Sequence, residues 1–182
     1  MKYIYTFLYL FLLSSVASGD ASIVGAFGQR LGAAINPIDH SPRFYESVED
    51  LRGVTVYEFV PSKPYREFMS YLVFATPVTK LIFNITVSAS VDKNRCSIER
   101  GIIKTALEEN YPEAERTSLG DITSYSIGDR FIDTRCEYIS NSGEIVDYLF
   151  ATDAILSLIY VDITLHDAVL DERASQVDKS NF

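Results

Sequence analysis

Residues 81–111, "LIFNITVSASVDKNRCSIERGIIKTALEENY", decide the fold. The first third alternates. Leu81, Phe83, Ile85, Val87, Ala89 and Val91 are apolar, and of the residues between them only Ile82 is not polar. A period of two over that length predicts a long strand with one face on the core. Such one-sided strands belong to antiparallel sheets, because parallel strands are buried on both faces. Asp92, Lys93 and Asn94 then offer an N-cap, and the period changes. Ile98, Ile102, Ala106 and Leu107 fall on one helical face, with Ile103 and Tyr111 beside it and Pro112 as the stop. This predicts an amphipathic helix over about 94–110, with Cys96 in its first turn.

Toward the N-terminus, "VTVYEFV" (54–60) and "FMSYLVFA" (68–75) read as strands, rich in β-branched and aromatic residues. Thr76-Pro77-Val78 marks a hairpin into the long strand. "NPIDHSPRF" (36–44) reads as a loop from its prolines. Toward the C-terminus, "PEAERTSLGD" (112–121) reads as an acidic link. "ITSYSI" (122–127) and "RFIDTRCEYI" (130–139) form a hairpin across Gly128-Asp129. "EIVDYLFA" (144–151) and "AILSLIYVD" (154–162) follow as strands. "ITLHDAVLDERASQV" closes the chain as a short helix capped by Asp162 or Thr164, with a frayed tail. The fold class is α+β: an antiparallel sheet of about five to seven strands, with helices segregated on one face.

The chain of 182 residues opens with Lys2 and an apolar run from Ile4 to Val16, followed by small residues before Asp20. That is the layout of a secretory signal peptide over 1–19, cut at Gly19/Asp20 or else at Ala17/Ser18. The run is short of the roughly 20 apolar residues that a spanning helix needs, and no later segment reaches that length. Residues 20–182 suit a single domain in the periplasm or outside the cell. The net charge of −9 excludes nucleic acid and anionic lipid as expected partners and suits a basic one.

The only cysteines are Cys96 and Cys136. An even count in an exported chain predicts a disulfide, two buried thiols being the alternative. Ile132, Thr134, Cys136 and Tyr138 share one strand face. If that face meets the helix, Cys136 reaches Cys96. A metal site is not expected, because neither His40 nor His166 is near a cysteine in sequence.

The most motif-like stretch is "GAFGQRLG" (25–32). Its spacing fits neither a P-loop nor a dinucleotide fingerprint, and no Lys-Ser or Lys-Thr follows. The remaining reading is structural: glycines that let backbones approach closely. No G-x-S-x-G elbow exists. His40 and His166, with a carboxylate, would make a hydrolytic site only by converging from distant positions. The carboxylates Glu108, Glu109, Glu113, Glu115, Asp167, Asp171 and Glu172 read as solvated charges, and no cofactor motif or catalytic residue is assigned. For recognition, "PSKPYREF" (61–68) is a proline-bounded connection carrying Tyr65, Arg66 and Phe68, residue types favoured at interface hot spots.

Cys96 opening "CSIERGIIKTALEENYP", then "RFIDTRCEY", then "LSLIYVDITLHDAVLDER", resembles small exported disulfide-containing α+β proteins of Gram-negative bacteria. A Phe-Gly-rich first strand, as in "GAFGQRLG", and a final L-x-L-x-Y-x-D strand recur in them. The resemblance implies a disulfide-pinned α+β domain and carries over no catalytic residue. Some small periplasmic proteins of this kind are inhibitors or immunity proteins against secreted toxins. The expected function is therefore a non-enzymatic protein-binding module. The alternatives are the scattered-site hydrolase and a carrier holding a small apolar ligand between sheet and helix.

Overall fold

The computed structural model describes residues 22–36, 40–43, 54–65 and 68–180, with only the backbone path described for 40–43 and 174–180. The signal peptide expected over residues 1–19 therefore lies outside the described residues. The chain is α+β. Its strands are β1 (Gly25–Ala26), β2 (Gln29–Arg30), β3 (His40–Arg43), β4 (Thr55–Phe59), β5 (Ser70–Ala75) and β6 (Ile82–Asp92). Helix α1 (Lys93–Asn110) follows, then β7 (Glu115–Leu119), β8 (Ile122–Ile127), β9 (Arg130–Ile139), β10 (Asp153–Asp162) and α2 (Ile163–Ser180). β1 and β2 form a small hairpin of their own. The other eight strands make one antiparallel sheet in the order β3-β4-β5-β6-β10-β9-β8-β7. It consists of two four-stranded meanders, β3–β6 and β7–β10, joined where β10 lies beside β6, with α1 carrying the chain from one to the other.

The sheet is wider than expected because both of its edges read as connections. His40–Arg43 is the edge strand β3, with Pro42 placed where a missing N–H costs least. Glu115–Leu119 is the opposite edge, exposed along its whole length and charged, as edges that resist further pairing are. "EIVDYLFA" is not a strand. It forms one bridge, Ile139 to Ile145, and then a 3-10 turn at Tyr148–Phe150. β8 pairs with β9 only as far as Arg135, and the segment reaches just the free end of that side, where the Val146 N–H donates to the Tyr138 carbonyl at 2.9 Å before the chain turns away.

Strand register places Tyr57, Val73, Ile85, Tyr160, Ile132 and Tyr125 in one row across the sheet. That face carries the main core. Two rows further toward the start of α1, the same face carries Ala89, Leu156 and Cys136. Cys136 is bonded to Cys96, with Cα atoms 6.1 Å apart. The bridge holds the first turn of α1 on this face, and the Asp92 carboxylate caps the helix by accepting from the Asn94 N–H at 2.8 Å.

The disulfide also sets the rotation of the helix. At 100° per residue, Cys96, Ile103 and Leu107 point the same way, and these are its buried residues. Ile98 is two residues, or about 200°, from Cys96 and faces away. It is 62% exposed and Ile102 is 52% exposed, so the apolar face expected around them is not the one that packs.

The helices are not segregated on one face. A bulge at Phe74/Ala75 turns Phe83 to the far side of the sheet, where its ring meets Phe74 and, at 5.8 Å, His166 of α2. Helix α2 therefore covers the face opposite α1. It is as long as α1, where a short helix was expected. Its cap is Asp162, whose Oδ1 accepts from the Leu165 N–H at 3.0 Å.

Candidate functional site

Adjacent strands lie about 4.8 Å apart, so eight span roughly 34 Å, whereas a helix with side chains is about 10–12 Å wide. One helix cannot cover that face. The β4–β6 half beyond α1 is covered instead by the β1–β2 hairpin and the chain around Phe68. Between the helix and this second cover lies a predominantly apolar cleft of about 500 Å³.

Three parts of the chain wall it. The hairpin supplies Gly25, Ala26 and Phe27; the proline-bounded connection supplies Lys63, Pro64, Tyr65 and Phe68. Helix α1 supplies Ile102, Ile103, Ala106, Leu107 and Asn110, with Tyr111 just past its end. Leu158 and Tyr160 of β10 form the floor. Ile102 is thus turned away from the sheet but toward the cleft.

The hairpin owes its shape to its glycines. Phe27 and Gly28 both have positive φ, 54° and 85°, as a two-residue type I′ turn requires. At Gly25, a Cβ would sit 2.2 Å from the Gln29 carbonyl oxygen, so any side chain would push the strands apart. The motif-like "GAFGQRLG" is a structural device, and what it delivers is Phe27. A phenylalanine with positive φ costs on the order of 1–3 kcal/mol. Its ring is held edge-on against Phe68 at 6.1 Å and Tyr71 at 5.5 Å. The hairpin is tied to the sheet by Arg130, whose Nη1 donates to the Ile23 carbonyl at 3.0 Å while its Nε donates to Asp162 at 2.9 Å.

Of the residues predicted to bind a partner, Tyr65 stands at the lip of the cleft. Its carbonyl accepts from the Tyr71 hydroxyl and the Phe68 N–H, both at 3.0 Å, which fixes the connection to β5. Phe68 is buried in the core and meets a ligand only through the cleft wall. Arg66 lies outside the described residues. The two histidines are not cleft residues. His40 is on edge strand β3, and His166 is on α2, 3.6 Å from Asp167. Among the described residues, no group of three or more His, Cys, Asp or Glu side chains could hold a metal ion. Of the carboxylates, Glu108 pairs with Arg116 and accepts from the Tyr125 hydroxyl. Glu172 takes the Val78 N–H at 2.7 Å and the Thr79 hydroxyl at 2.6 Å. No described helix is long and apolar enough to cross a membrane.

Sequence reasoning missed the floor of the site. Tyr160 was visible only as one apolar residue of a strand, and nothing local distinguishes a floor from a filled core. Burial raises the pKa of both Tyr160 and Tyr111, and the neighbouring Tyr111 raises that of Tyr160 further. Both are neutral donors at ordinary pH. Compared with family models, curated proteins and solved structures, the chain has no match in any of the three.

Proposed function

We propose that this protein is an exported, non-enzymatic binding protein whose cleft takes a small apolar ligand. One observation carries the reading: an apolar space of about 500 Å³ between helix and sheet, within the size range of ligand pockets. A domain built only for stability would close such a space, because empty volume forfeits packing contacts. Export rests on residues 1–19, and the resemblance to small exported disulfide proteins agrees with it. A mature mass that begins at Asp20 in the secreted or periplasmic fraction is the result expected for export.

The test of binding uses 1-N-phenylnaphthylamine, a neutral probe whose emission rises in apolar surroundings. Saturable enhancement is expected. Ala106 is half-buried and lines the cleft, so Ala106→Trp fills it from the helix side. That variant should retain its thermal midpoint and lose at least tenfold in probe affinity. No saturable binding, or binding unaltered in the variant, refutes the reading.

A protein partner is the second reading, favoured by a different surface. Leu149 and Phe150 are 81% and 73% exposed on the 3-10 turn, beside the start of α1. The turn is anchored there by Lys93, which donates to the Ala151 carbonyl at 2.7 Å, and by the Tyr148 hydroxyl, which donates to Asn94 at 2.7 Å. The acidic chain favours a basic partner. A co-purifying protein that is lost on Leu149→Glu/Phe150→Glu, with probe binding intact, would support it; retention in that variant would refute it.

A further inference from the structure

We propose that the ligand of this cleft carries an uncharged hydrogen-bond acceptor, such as a ketone, ester or amide carbonyl, and that the Tyr160 hydroxyl donates to it at the cleft floor. The inference rests on the cleft being a binding site and names the class of molecule it takes.

Tyr160 is 6% exposed, and it lines the cleft. Its register neighbours Ile85 and Ile132 are both fully buried hydrocarbons. At a position set between two isoleucines, phenylalanine would fill the same space without a polar atom. The hydroxyl makes no hydrogen bond to any described residue, and it is not sealed in the core but opens on the cleft, where a ligand group can meet it. Buried tyrosines ordinarily have a partner for this group. On this same face Tyr71 donates to the Tyr65 carbonyl and Tyr125 to Glu108, whereas Tyr138 and Tyr160 show no such bond. Of these two, only Tyr160 borders the cleft, where a ligand would be.

The acceptor should be neutral. A carboxylate moved to the floor would leave water for a site whose deep walls are Leu107, Ile103 and Leu158, with no cation beside Tyr160. Desolvating an ion without a counter-charge costs far more than one phenol hydrogen bond returns. The only cationic side chain in the lining, Lys63, is exposed and belongs to the rim connection. The two phenols are themselves held protonated by burial, so the floor presents donors and no charge.

The experiment uses two neutral fluorescent probes of similar size: 6-propionyl-2-dimethylaminonaphthalene, which carries a ketone, and 1-N-phenylnaphthylamine, which does not. The ketone probe should bind the wild-type protein with the red-shifted emission that hydrogen bonding to its carbonyl produces. Tyr160→Phe should weaken the ketone probe about tenfold, shift its emission to the blue and leave the other probe unchanged. The thermal midpoint should hold, since the substitution removes no hydrogen bond to a described residue. Equal effects on both probes, no effect on either, or unshifted ketone emission in the wild type would overturn the inference while leaving the cleft a binding site. Failure of both probes to bind the wild type would instead remove the reading beneath it. Should Tyr160→Phe not fold, the wild-type emission decides alone. Dodecanoic acid competing better than dodecan-2-one at pH 8 would also overturn the inference, and would place a carboxylate at the Lys63 rim.

Discussion

Replacing both Cys96 and Cys136 by alanine removes the one covalent link between α1 and the sheet. The bond joins positions 40 apart in sequence. In the chain-entropy description, cutting a loop of about that length frees the unfolded chain by roughly 13 cal/mol/K, or about 4 kcal/mol at 25 °C. Unfolding entropy near 2.1 cal/mol/K per residue, over a domain of about 160 residues, converts this to a fall in Tm of roughly 12 °C. Cys96 is fully buried and Cys136 nearly so, and the lost sulfur contacts add to the effect. Urea titration of the oxidised wild type and the double variant should show a lower midpoint. The m-value should rise, because the uncrosslinked unfolded chain exposes more surface. The cleft should suffer as well, since the bridge fixes the rotation that aims Ile102, Ile103 and Ala106 at it; probe affinity should drop even well below the unfolding transition. A stability loss under about 1 kcal/mol would refute the reasoning, as would two alkylated thiols in the unreduced wild type by mass spectrometry.

The helix setting has its own comparison. Ile103→Ala should cost about 2–5 kcal/mol and Ile98→Ala less than about 0.5 kcal/mol by urea denaturation, and similar losses would mean that the helix is not rotated as described. Asp162→Ala removes the α2 cap and the partner of Arg130 together; about 2–4 kcal/mol should be lost, Asp162→Asn should recover part through the cap, and equal losses in both would count against the capping role. Alkaline pH should destabilise the protein through Tyr160 and Tyr111. Below about pH 10 both states hold the phenolic protons; above it the unfolded chain releases them while the folded pKa values, raised by burial, keep them, so stability falls as pH rises from there. Absorbance at 295 nm should show tyrosines that ionise only on unfolding, and a single titration of all tyrosines near pH 10 in folded protein would contradict this.

The elements with strong local signals were legible. The alternating run became β6, the cap and helix fell within a residue of their expected start, and the Cys96–Cys136 bond, expected from the cysteine count, formed where the strand face carrying Cys136 meets the helix. What failed depended on competition between distant segments. "EIVDYLFA" has strand-like residues, but β8 holds β9 as far as Arg135 and leaves it only a short end, where it makes a single bridge, Ile139 to Ile145. The edge strands have sequences that edges tolerate, β3 with Pro42 and β7 polar and charged, and such sequences look like loops when read alone. The site was half legible. Tyr65 and Phe68 drew notice by residue type and do border the cleft, whereas Phe27 and Tyr160 needed the fold before their positions meant anything.

The sequence of α1 in fact holds two incompatible helical settings, and their conflict explains the cleft. Turning Ile98 and Ile102 inward would make the most apolar face pack, but it would point Cys96 away from β9. With the bond formed, Cys96, Ile103 and Leu107 face the sheet, and the stripe Asn94–Ile98–Ile102–Ala106–Asn110 becomes an outer ridge. One end of that ridge meets the anchored turn at Tyr148, and the other forms a cleft wall. A helix selected only for stability would place its isoleucines on the covered side. Here the covalent bond overrides Ile98 and Ile102, which stay 62% and 52% exposed, at a hydrophobic cost of about 1–2 kcal/mol each. The outward turn of Ile102 and the positive φ of Phe27 border one space, the cleft that Tyr160 floors. Two departures from the most stable arrangement, meeting at a single cleft, are what the binding role proposed for it would leave in the fold.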